Sequence, residues 1–367
     1  MTALSEKLLA EAENTTETTE TTKTADTTGT AEAVESREAT ETRESAQAAG
    51  AVPGAGASAS ASASASASAS AVQGAGALAG AEETAADAGT GEPPRSQAPV
   101  LSVRDVRIGD PAAGQDIVHG VSFTLTPGRA VGIVGESGSG KTLTCRAALG
   151  ILPTPFEITG GSVEIDGGDI AGLSPARWTD LRGTTISAVF QDPASYLNPS
   201  IKVGAQIAEV LRVKKGLKRR AARRRAVELL RSVHLRDPEL VSSQYPHELS
   251  GGMLQRVLIA VAIAAGPRIL IADEATTALD VTVQAEILDL LADLRERTGL
   301  ALVVVSHDLA VVSQLCDEVL VMRHGEVVEQ GPTEDVLHRP RHEYTRLLIA
   351  EHQQYGLEKF LAPGEDA

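Results

Sequence analysis

The stretch that most restricts the fold is the glycine-rich segment at residues 135–142, Gly-Glu-Ser-Gly-Ser-Gly-Lys-Thr. It follows the short apolar run Ala130–Val134 and opens a helical pattern at Thr142–Leu149. An apolar run bounded by glycine is typical of a parallel strand that is covered on both faces. A strand, a glycine-rich loop and a helix in this order predict an α/β fold with a parallel core sheet and a phosphate-binding loop.

The residue types in this loop suit a polyphosphate. Glycines remove side chains, so backbone N–H groups can approach phosphate oxygens, and the N-terminus of the following helix adds free N–H groups and a positive dipole end. We expect Lys141 to reach the β- and γ-phosphates and the Thr142 hydroxyl to bind Mg²⁺. The residues predicted to bind the nucleotide in this loop are Gly135, Glu136, Ser137, Gly138, Ser139, Gly140, Lys141 and Thr142.

Two acidic residues stand at the end of another apolar strand. The run Arg268–Asp273 ends on Asp273, and Glu274 follows directly. Ligands of open α/β sheets bind at the carboxyl ends of the strands. We therefore expect Asp273 to hold Mg²⁺, directly or through water, and Glu274 to polarise an attacking water.

Polar side chains also follow two further apolar strands. Gln191 comes after Ile186–Phe190, and His307 comes after Val303–Val305. We expect Gln191 to contact Mg²⁺ or the attacking water, and His307 to hydrogen-bond the γ-phosphate. Either residue taken by itself is more often structural.

A second helix start of the phosphate-binding type occurs at Ser250-Gly251-Gly252. Ser250 is a good N-cap, and the free amides behind it form a second candidate anion site. The motif could be only a helix cap. One ATP needs only one anion site of this type. If both helix starts belonged to the same pocket, the second would therefore not be needed.

The first part of the chain has a different composition. Residues 1–99 contain 15 acidic and 5 basic residues, seven Ala-Ser pairs at 57–70 and no aromatic residue. Such a segment cannot bury enough apolar area to offset the conformational entropy lost on ordering. We predict a disordered acidic tail at residues 1–98, solvated or serving as an interaction spacer.

The overall charge argues against nucleic acid as a partner. The chain carries a formal charge of -16, which opposes general attraction to nucleic acid. The segment Lys214–Arg225 holds eight basic residues but no aromatic residue to stack on bases. We expect a solvated helix face there, and the alternative is a face near anionic lipid headgroups. No stretch approaches the ~18 unbroken apolar residues of a membrane span.

In order, the motifs are GESGSGKT, Gln191, LSGGMLQR, LIADE, the stretch Thr277–Asp280 and SHD. Together they resemble an ATP-binding cassette (ABC) ATPase over roughly 100–348. The longer segments VGIVGESGSGKT, FQDPASYLNP, YPHELSGGMLQR, ADEATTALDVTVQAEIL and RPRHEYTRLL resemble the ATPase subunits of oligopeptide, dipeptide and nickel importers. This resemblance implies a P-loop NTPase fold with a parallel core sheet, an antiparallel β subdomain and a helical subdomain. The implied domains are a cassette at 99–335, its helical part at about 192–257, and a C-terminal extension at 336–367.

The resemblance also implies roles for these residues. Glu274 would be the catalytic base, His307 the switch residue, and Asp273 and Gln191 would serve Mg²⁺ and the attacking water. Ser250, Gly251 and Gly252 would bind the γ-phosphate of an ATP held by a second subunit, and Asp280 would link the two sites across the dimer. Two cassettes that pair head to tail and share two ATPs would explain the two anion sites.

The implied function is that of the ATP-hydrolysing subunit of an importer for peptides or nickel. Its partners would be a second ATPase subunit of the same or a sister chain, membrane permease subunits and an extracytoplasmic substrate-binding protein. It would lie on the cytoplasmic face of the membrane as a peripheral subunit. The alternative is a soluble ABC-type ATPase with a role outside transport.

Two positions depart from the family pattern. An aromatic residue on the first strand usually stacks on adenine, and the corresponding position near Ile108 has none. We expect weaker or less base-selective nucleotide binding as a result. His342-Glu343-Tyr344 stands where His-Pro-Tyr is usual.

Overall fold

The computed structural model describes residues 98–276 and 279–354. The predicted disordered tail therefore lies outside the described residues, apart from its last position. Residues 277 and 278 of the Thr277–Asp280 stretch also lie outside them.

The larger sheet has six strands in the order β10-β9-β3-β8-β7-β6. The five strands from β9 to β6 are parallel, and β10 is added antiparallel at the edge beside β9. The predicted parallel core sheet is therefore confirmed. Its strands are β3 (Ala130–Val134), β6 (Ile186–Val189), β7 (Ile269–Asp273), β8 (Ala301–Ser306), β9 (Glu318–Arg323) and β10 (Glu326–Pro332).

The smaller sheet is antiparallel and has the order β2-β1-β4-β5. Its presence confirms the predicted antiparallel β subdomain. The strands are β1 (Leu101–Asp110), β2 (Gln115–Leu125), β4 (Glu157–Ile165) and β5 (Gly168–Asp169). The second strand, β2, begins at Gln115 and has 11 residues.

Five α-helices and the 3₁₀ helix Pro246–Glu248 lie between β6 and β7. The sequence predicts a helical subdomain in this interval. The α-helices are α3 (Pro193–Tyr196), α4 (Val203–Lys215), α5 (Arg219–Ser232), α6 (Pro238–Ser243) and α7 (Gly251–Ile263). The apolar run Val257–Ala265 forms most of α7, whose residues from Gln255 to Ala262 are all buried. The eight basic residues of Lys214–Arg225 fall at the junction of α4 and α5, mostly on exposed positions.

The other helices are α1 (Lys141–Leu149), α2 (Pro175–Leu181), α8 (Val281–Thr298), α9 (Leu309–Leu315), α10 (Thr333–His338) and α11 (Glu343–Gln354). Among the described residues, no helix combines the length and the apolar character needed to cross a bilayer.

The parallel sheet separates two apolar cores. Ala130 and Val134 of β3 face the core that contains the helices between β6 and β7. Val131 and Ile133 of the same strand face the core that contains the antiparallel sheet and α1. Side chains alternate between the two faces of a strand, so a strand covered on both sides must be apolar throughout. This accounts for the unbroken apolar sequence of β3.

Ile108 is fully buried in the core beneath the antiparallel sheet, together with Val106 and Val118. The lack of an aromatic residue for adenine at the position near Ile108 stays a prediction.

Candidate functional site

The phosphate loop begins where β3 ends, and its glycines are required by the backbone. Gly135 has a φ of 150°, and a Cβ atom at this position would lie 2.1 Å from the carbonyl oxygen of Met322 in β9. Gly140 has a φ of 96° and forms the N-cap of α1. Both positions lie in the left-handed region that side chains rarely adopt, so the loop can close around a ligand only with glycine there.

Lys141 is buried at the first turn of α1. Its Nζ donates hydrogen bonds to the carbonyl oxygens of Gly135 and Glu136, each at 2.8 Å. Burial lowers the pKa of Lys141, although the nearby carboxylates Glu274 and Asp273 oppose this change. The ammonium therefore lies within the loop, where the charges of both acidic residues act on it.

Asp273 lies at the carboxyl end of β7 and is 95% buried. Its Oδ1 accepts a hydrogen bond of 3.2 Å from the Thr142 hydroxyl. Burial raises the pKa of Asp273 to about 6, and the Thr142 hydrogen bond and the charge of Arg146 work against that rise. The structure thus brings together the hydroxyl and the carboxylate that were predicted from separate motifs.

Glu274 and His307 face each other at the same edge of the sheet. Glu274 Oε1 lies 3.9 Å from His307 Nδ1, and the His307 side chain is about half exposed. The backbone of Glu274 has a φ of 50°, and its N–H donates to the carbonyl oxygen of Val305 at 3.0 Å. A non-glycine residue in the left-handed region carries backbone strain, which native folds retain most often at functional sites.

Gln191 emerges at this edge as well. Val189 of β6 is paired with Ala272 of β7, the residue before Asp273, so Gln191 follows the strand next to the one that ends at Asp273. The Gln191 side chain is exposed. The next residue, Asp192, caps the short helix α3 by accepting from the Ala194 N–H at 3.1 Å.

The second predicted anion site is the N-terminus of α7. Ser250 caps this helix through its hydroxyl, which accepts from the Met253 N–H at 3.4 Å. A Cβ atom at Gly252 would lie 2.6 Å from a methyl group of Val283. The N-terminus of α7 therefore packs closely against the start of α8, and a larger residue at this glycine would push the two helices apart.

Asp280 is the N-cap of α8. Its Oδ1 accepts from the Val283 N–H at 3.0 Å. The family resemblance implies a link across a dimer for this residue, and no motif predicted that it caps a helix. The cap fixes one carboxylate oxygen and accounts for the start of α8 at Val281.

The two candidate anion sites lie on different parts of the molecule. Helix α1, which follows the phosphate loop, packs against β1, β2, β4 and β7. Helix α7, which follows Ser250, packs against α3, α4, α5, α8 and β6. Helix α1 thus packs against the sheets, whereas α7 packs mainly against other helices.

Tyr344 contacts the phosphate loop, although no motif predicted a role for this residue. The Glu136 N–H donates to the Tyr344 hydroxyl oxygen at 3.1 Å. Glu136 was predicted to bind nucleotide, but its N–H is directed to Tyr344 and its carbonyl oxygen to Lys141. Only the ending RPRHEYTRLL pointed towards this residue, and it gave no indication of the contact.

Comparison with known proteins places this geometry in a family. The family model of the ABC transporter matches residues 118–277. The chain is 44% identical over 254 residues to the oligopeptide transport ATP-binding protein OppD of Bacillus subtilis (strain 168), which covers 68% of this chain and 71% of that protein. It is 42% identical over 254 residues to the dipeptide transport ATP-binding protein DppD of Escherichia coli (strain K12), covering 69% and 78%.

Solved structures agree. The structure of cbiO1 from Clostridium perfringens, part of the ABC transporter complex cbiONQ, has a TM-score of 0.59 at 26% identity and covers 71% of this chain and 97% of that one. The dimeric structure of MJ0796, a bacterial ABC transporter cassette, has a TM-score of 0.56 at 28% identity and covers 64% and 98%. The same cassette has been solved in a dimeric post-hydrolysis state bound to ADP and Pi. This chain therefore belongs to the ABC transporter family and is an ATP-binding cassette that hydrolyses ATP.

Proposed function

We propose that this chain powers an importer of di- or oligopeptides from the cytoplasmic face of the membrane. In this proposal it pairs with a second ATPase subunit, of the same or a sister chain, and binds membrane permease subunits that receive cargo from an extracytoplasmic binding protein. The names of the similar proteins, oligopeptide and dipeptide transport subunits, favour peptide over nickel. The same names argue against the alternative, a soluble ABC-type ATPase with a role outside transport.

Within one chain, the phosphate loop and Lys141 bind the triphosphate. The donors beside them suit Mg²⁺, because a hydroxyl (Thr142) and a buried carboxylate (Asp273) are already in contact and Mg²⁺ prefers a few oxygen ligands together with water and phosphate. Gln191, on the neighbouring strand end, is the third proposed ligand. When bound, the metal ion supplies positive charge against the phosphates. Asp273 supplies negative charge opposite the metal ion. An apolar residue at this buried position could not do so.

Glu274 is the proposed general base. It follows β7 directly, lies beside His307 and is held in a strained backbone conformation by its hydrogen bond to Val305. A carboxylate at this position can accept a proton from an attacking water, and such proton transfer typically contributes 10²–10⁴-fold to the rate. His307, half exposed at the neighbouring strand end, is placed to hydrogen-bond the γ-phosphate.

The observation that carries the proposal is that one chain has two anion-type helix starts on helices with different packing partners. Helix α1 packs against strands of both sheets, whereas α7 packs mainly against other helices. In the proposed dimer, Ser250, Gly251 and Gly252 of one subunit contact the γ-phosphate bound by the other. To shift the ratio of closed to open dimer from 1:99 to 99:1, ATP must favour the closed state by ~5.5 kcal/mol. Contacts to the γ-phosphate from both subunits can supply this preference.

Two variants test this proposal. Glu274→Gln should bind ATP normally, lose hydrolysis by roughly 100-fold or more and accumulate an ATP-bound dimer in size-exclusion chromatography. Ser250→Arg combined with Glu274→Gln should still bind ATP but remain monomeric, because the bulky side chain occupies the contact with the second nucleotide. Full hydrolysis by Glu274→Gln, or a dimer that survives Ser250→Arg, would refute the assignment.

The transport role needs a separate experiment. Co-expression with the permease subunits of a candidate peptide importer should give a membrane complex that retains the chain during detergent purification. Peptide uptake by vesicles containing that complex should stop with Glu274→Gln. A chain that stays free of every membrane fraction would refute the importer proposal while leaving the ATPase assignment intact.

A further inference from the structure

The C-terminal helix α11 reaches back to the phosphate loop through one side chain. Tyr344, in its first turn, is 97% buried, and its hydroxyl oxygen accepts a hydrogen bond from the Glu136 N–H at 3.1 Å. On the other side of the same loop, the Gly135 and Glu136 carbonyl oxygens accept from Lys141. The first peptides of the loop are therefore fixed from both sides, although Tyr344 stands 208 positions further along the chain.

The Tyr344 ring is itself held in place. The guanidinium carbon of Arg323, the last residue of β9, lies 4.7 Å from the ring centroid, within the range of a cation–π contact. Burial raises the pKa of Tyr344, and the nearby Glu136 carboxylate raises it further. The hydroxyl consequently stays protonated at neutral pH.

The segment before α11 is anchored to the edge strand β10. The Glu329 carboxylate accepts from the N–H groups of Arg341 at 2.7 Å and His342 at 3.0 Å. The His342 Nδ1 accepts from the Tyr344 N–H at 3.1 Å, which caps the helix start. A chain of hydrogen bonds thus leads from β10 through this turn to the hydroxyl that meets the loop.

The end of β9 and the turn that follows it contact the loop at two more points. The Met322 carbonyl oxygen lies against Gly135, and the Gly325 N–H donates to the Ser139 carbonyl oxygen at 3.2 Å. Unlike these two backbone contacts, the Tyr344 contact is made by a side-chain hydroxyl, so it can be removed by substitution with little change in shape.

We propose that Tyr344 is a positioning residue for the nucleotide, whose hydroxyl holds the Glu136 peptide so that the loop is arranged for phosphate before ATP arrives. The inference rests on the proposed function of the loop as the ATP site. A loop ordered in advance loses less conformational freedom on binding. Because this loss is the same for the ground state and the transition state, removing the hydroxyl raises KM and leaves kcat nearly unchanged.

The experiment compares Tyr344→Phe with wild type as full-length protein. Binding of a non-hydrolysable ATP analogue with Mg²⁺ should weaken by about 3- to 10-fold, the effect of one typical hydrogen bond. KM for ATP should rise by the same factor, while kcat and the unfolding temperature without nucleotide stay close to wild type. Thr333→Val is the matched control, because it removes another buried C-terminal hydroxyl, one with no hydrogen-bond partner among the described residues.

A double-mutant cycle shows whether the effect passes through the Glu136 N–H. Glu136→Pro removes the N–H, and Glu136→Ala keeps it while removing the same carboxylate; Glu136 does not have a positive φ, which proline could not adopt. Tyr344→Phe should weaken binding in the alanine background and have no further effect in the proline background. Should Tyr344→Phe unfold the chain, Glu136→Pro compared with Glu136→Ala gives the same readout with Tyr344 intact.

Unchanged analogue affinity in Tyr344→Phe, or equal losses in the proline and alanine backgrounds, would overturn the positioning role. Failure of the proposed function looks different, because then wild type itself binds no ATP analogue. A loss of kcat without a change in KM would also contradict the proposal, since it would assign Tyr344 to the chemical step.

Discussion

Replacing Asp273 with asparagine should stabilise the protein in the absence of nucleotide and metal. The carboxyl is 95% buried, and its pKa is raised from 3.8 to about 6, so ionising it in the folded chain costs free energy. At pH 8 the difference corresponds to about 3 kcal/mol, since each tenfold change in acidity is worth 1.36 kcal/mol. Asparagine keeps an oxygen for the Thr142 hydroxyl and carries no charge. We expect a gain of about 2–3 kcal/mol in the free energy of unfolding.

The sign of the effect gives a pH window. An acid with a higher pKa in the folded chain holds its proton more tightly there, so wild type loses stability as the pH rises from 3.8 to about 6 and the penalty stays constant above that. The gain from Asp273→Asn should therefore be full at pH 8 and disappear below pH 4. Urea unfolding with EDTA at both pH values measures it, and Asp289→Asn, at an exposed position of α8, is the control.

The same substitution should abolish ATP hydrolysis, because it removes the carboxylate proposed to hold Mg²⁺. Stability and activity would then move in opposite directions, as expected when a functional group is held in an unfavourable environment. A variant no more stable than wild type at pH 8, or equally stabilised at both pH values, would refute the reasoning that burial strains this carboxyl.

Further substitutions probe the loop and the helix starts. Gly135→Ala should prevent nucleotide binding because its Cβ would clash with backbone, whereas Gly138→Ala meets nothing within 4 Å and should cost only about 1–2 kcal/mol of backbone strain in urea unfolding. Arg256→Met should lower the free energy of unfolding by about 1–3 kcal/mol, because it removes hydrogen bonds of a buried guanidinium. Asp280→Ala should cost about 1 kcal/mol and Ser250→Ala less, since the cap distances are 3.0 Å and 3.4 Å. Equal losses for the two glycines or the two caps would contradict these geometric arguments.

Much of the site could be predicted because each part stands at the end of an apolar strand. The runs before Gly135, Glu274 and His307 are buried on both faces, and parallel strands place their carboxyl ends at one edge. Local pattern and a general topological rule were therefore enough to bring these residues together, and the observed distances agree.

The remaining features depend on contacts between distant segments. The resemblance to the family located the first strand around Ile108, but it could not show that the Ile108 side chain points into the core. The packing of Gly252 on Val283, and of Tyr344 on the phosphate loop, joins segments that no local pattern connects. A glycine or a tyrosine is compatible with many environments, so these contacts follow only from the assembled fold.

The second helix start is tied to the acidic end of β7 through α8. Gly252 of α7 packs on Val283, and Arg256, one turn further along α7, donates to Glu286 of α8 at 2.7 Å. Helix α8 begins at its cap, Asp280, a few residues after Glu274. Because packed interiors have little free volume, α7 cannot move without moving α8 or opening a gap between them. A ligand that pulls on the N-terminus of α7 should therefore also displace α8, which begins a few residues after the proposed catalytic base.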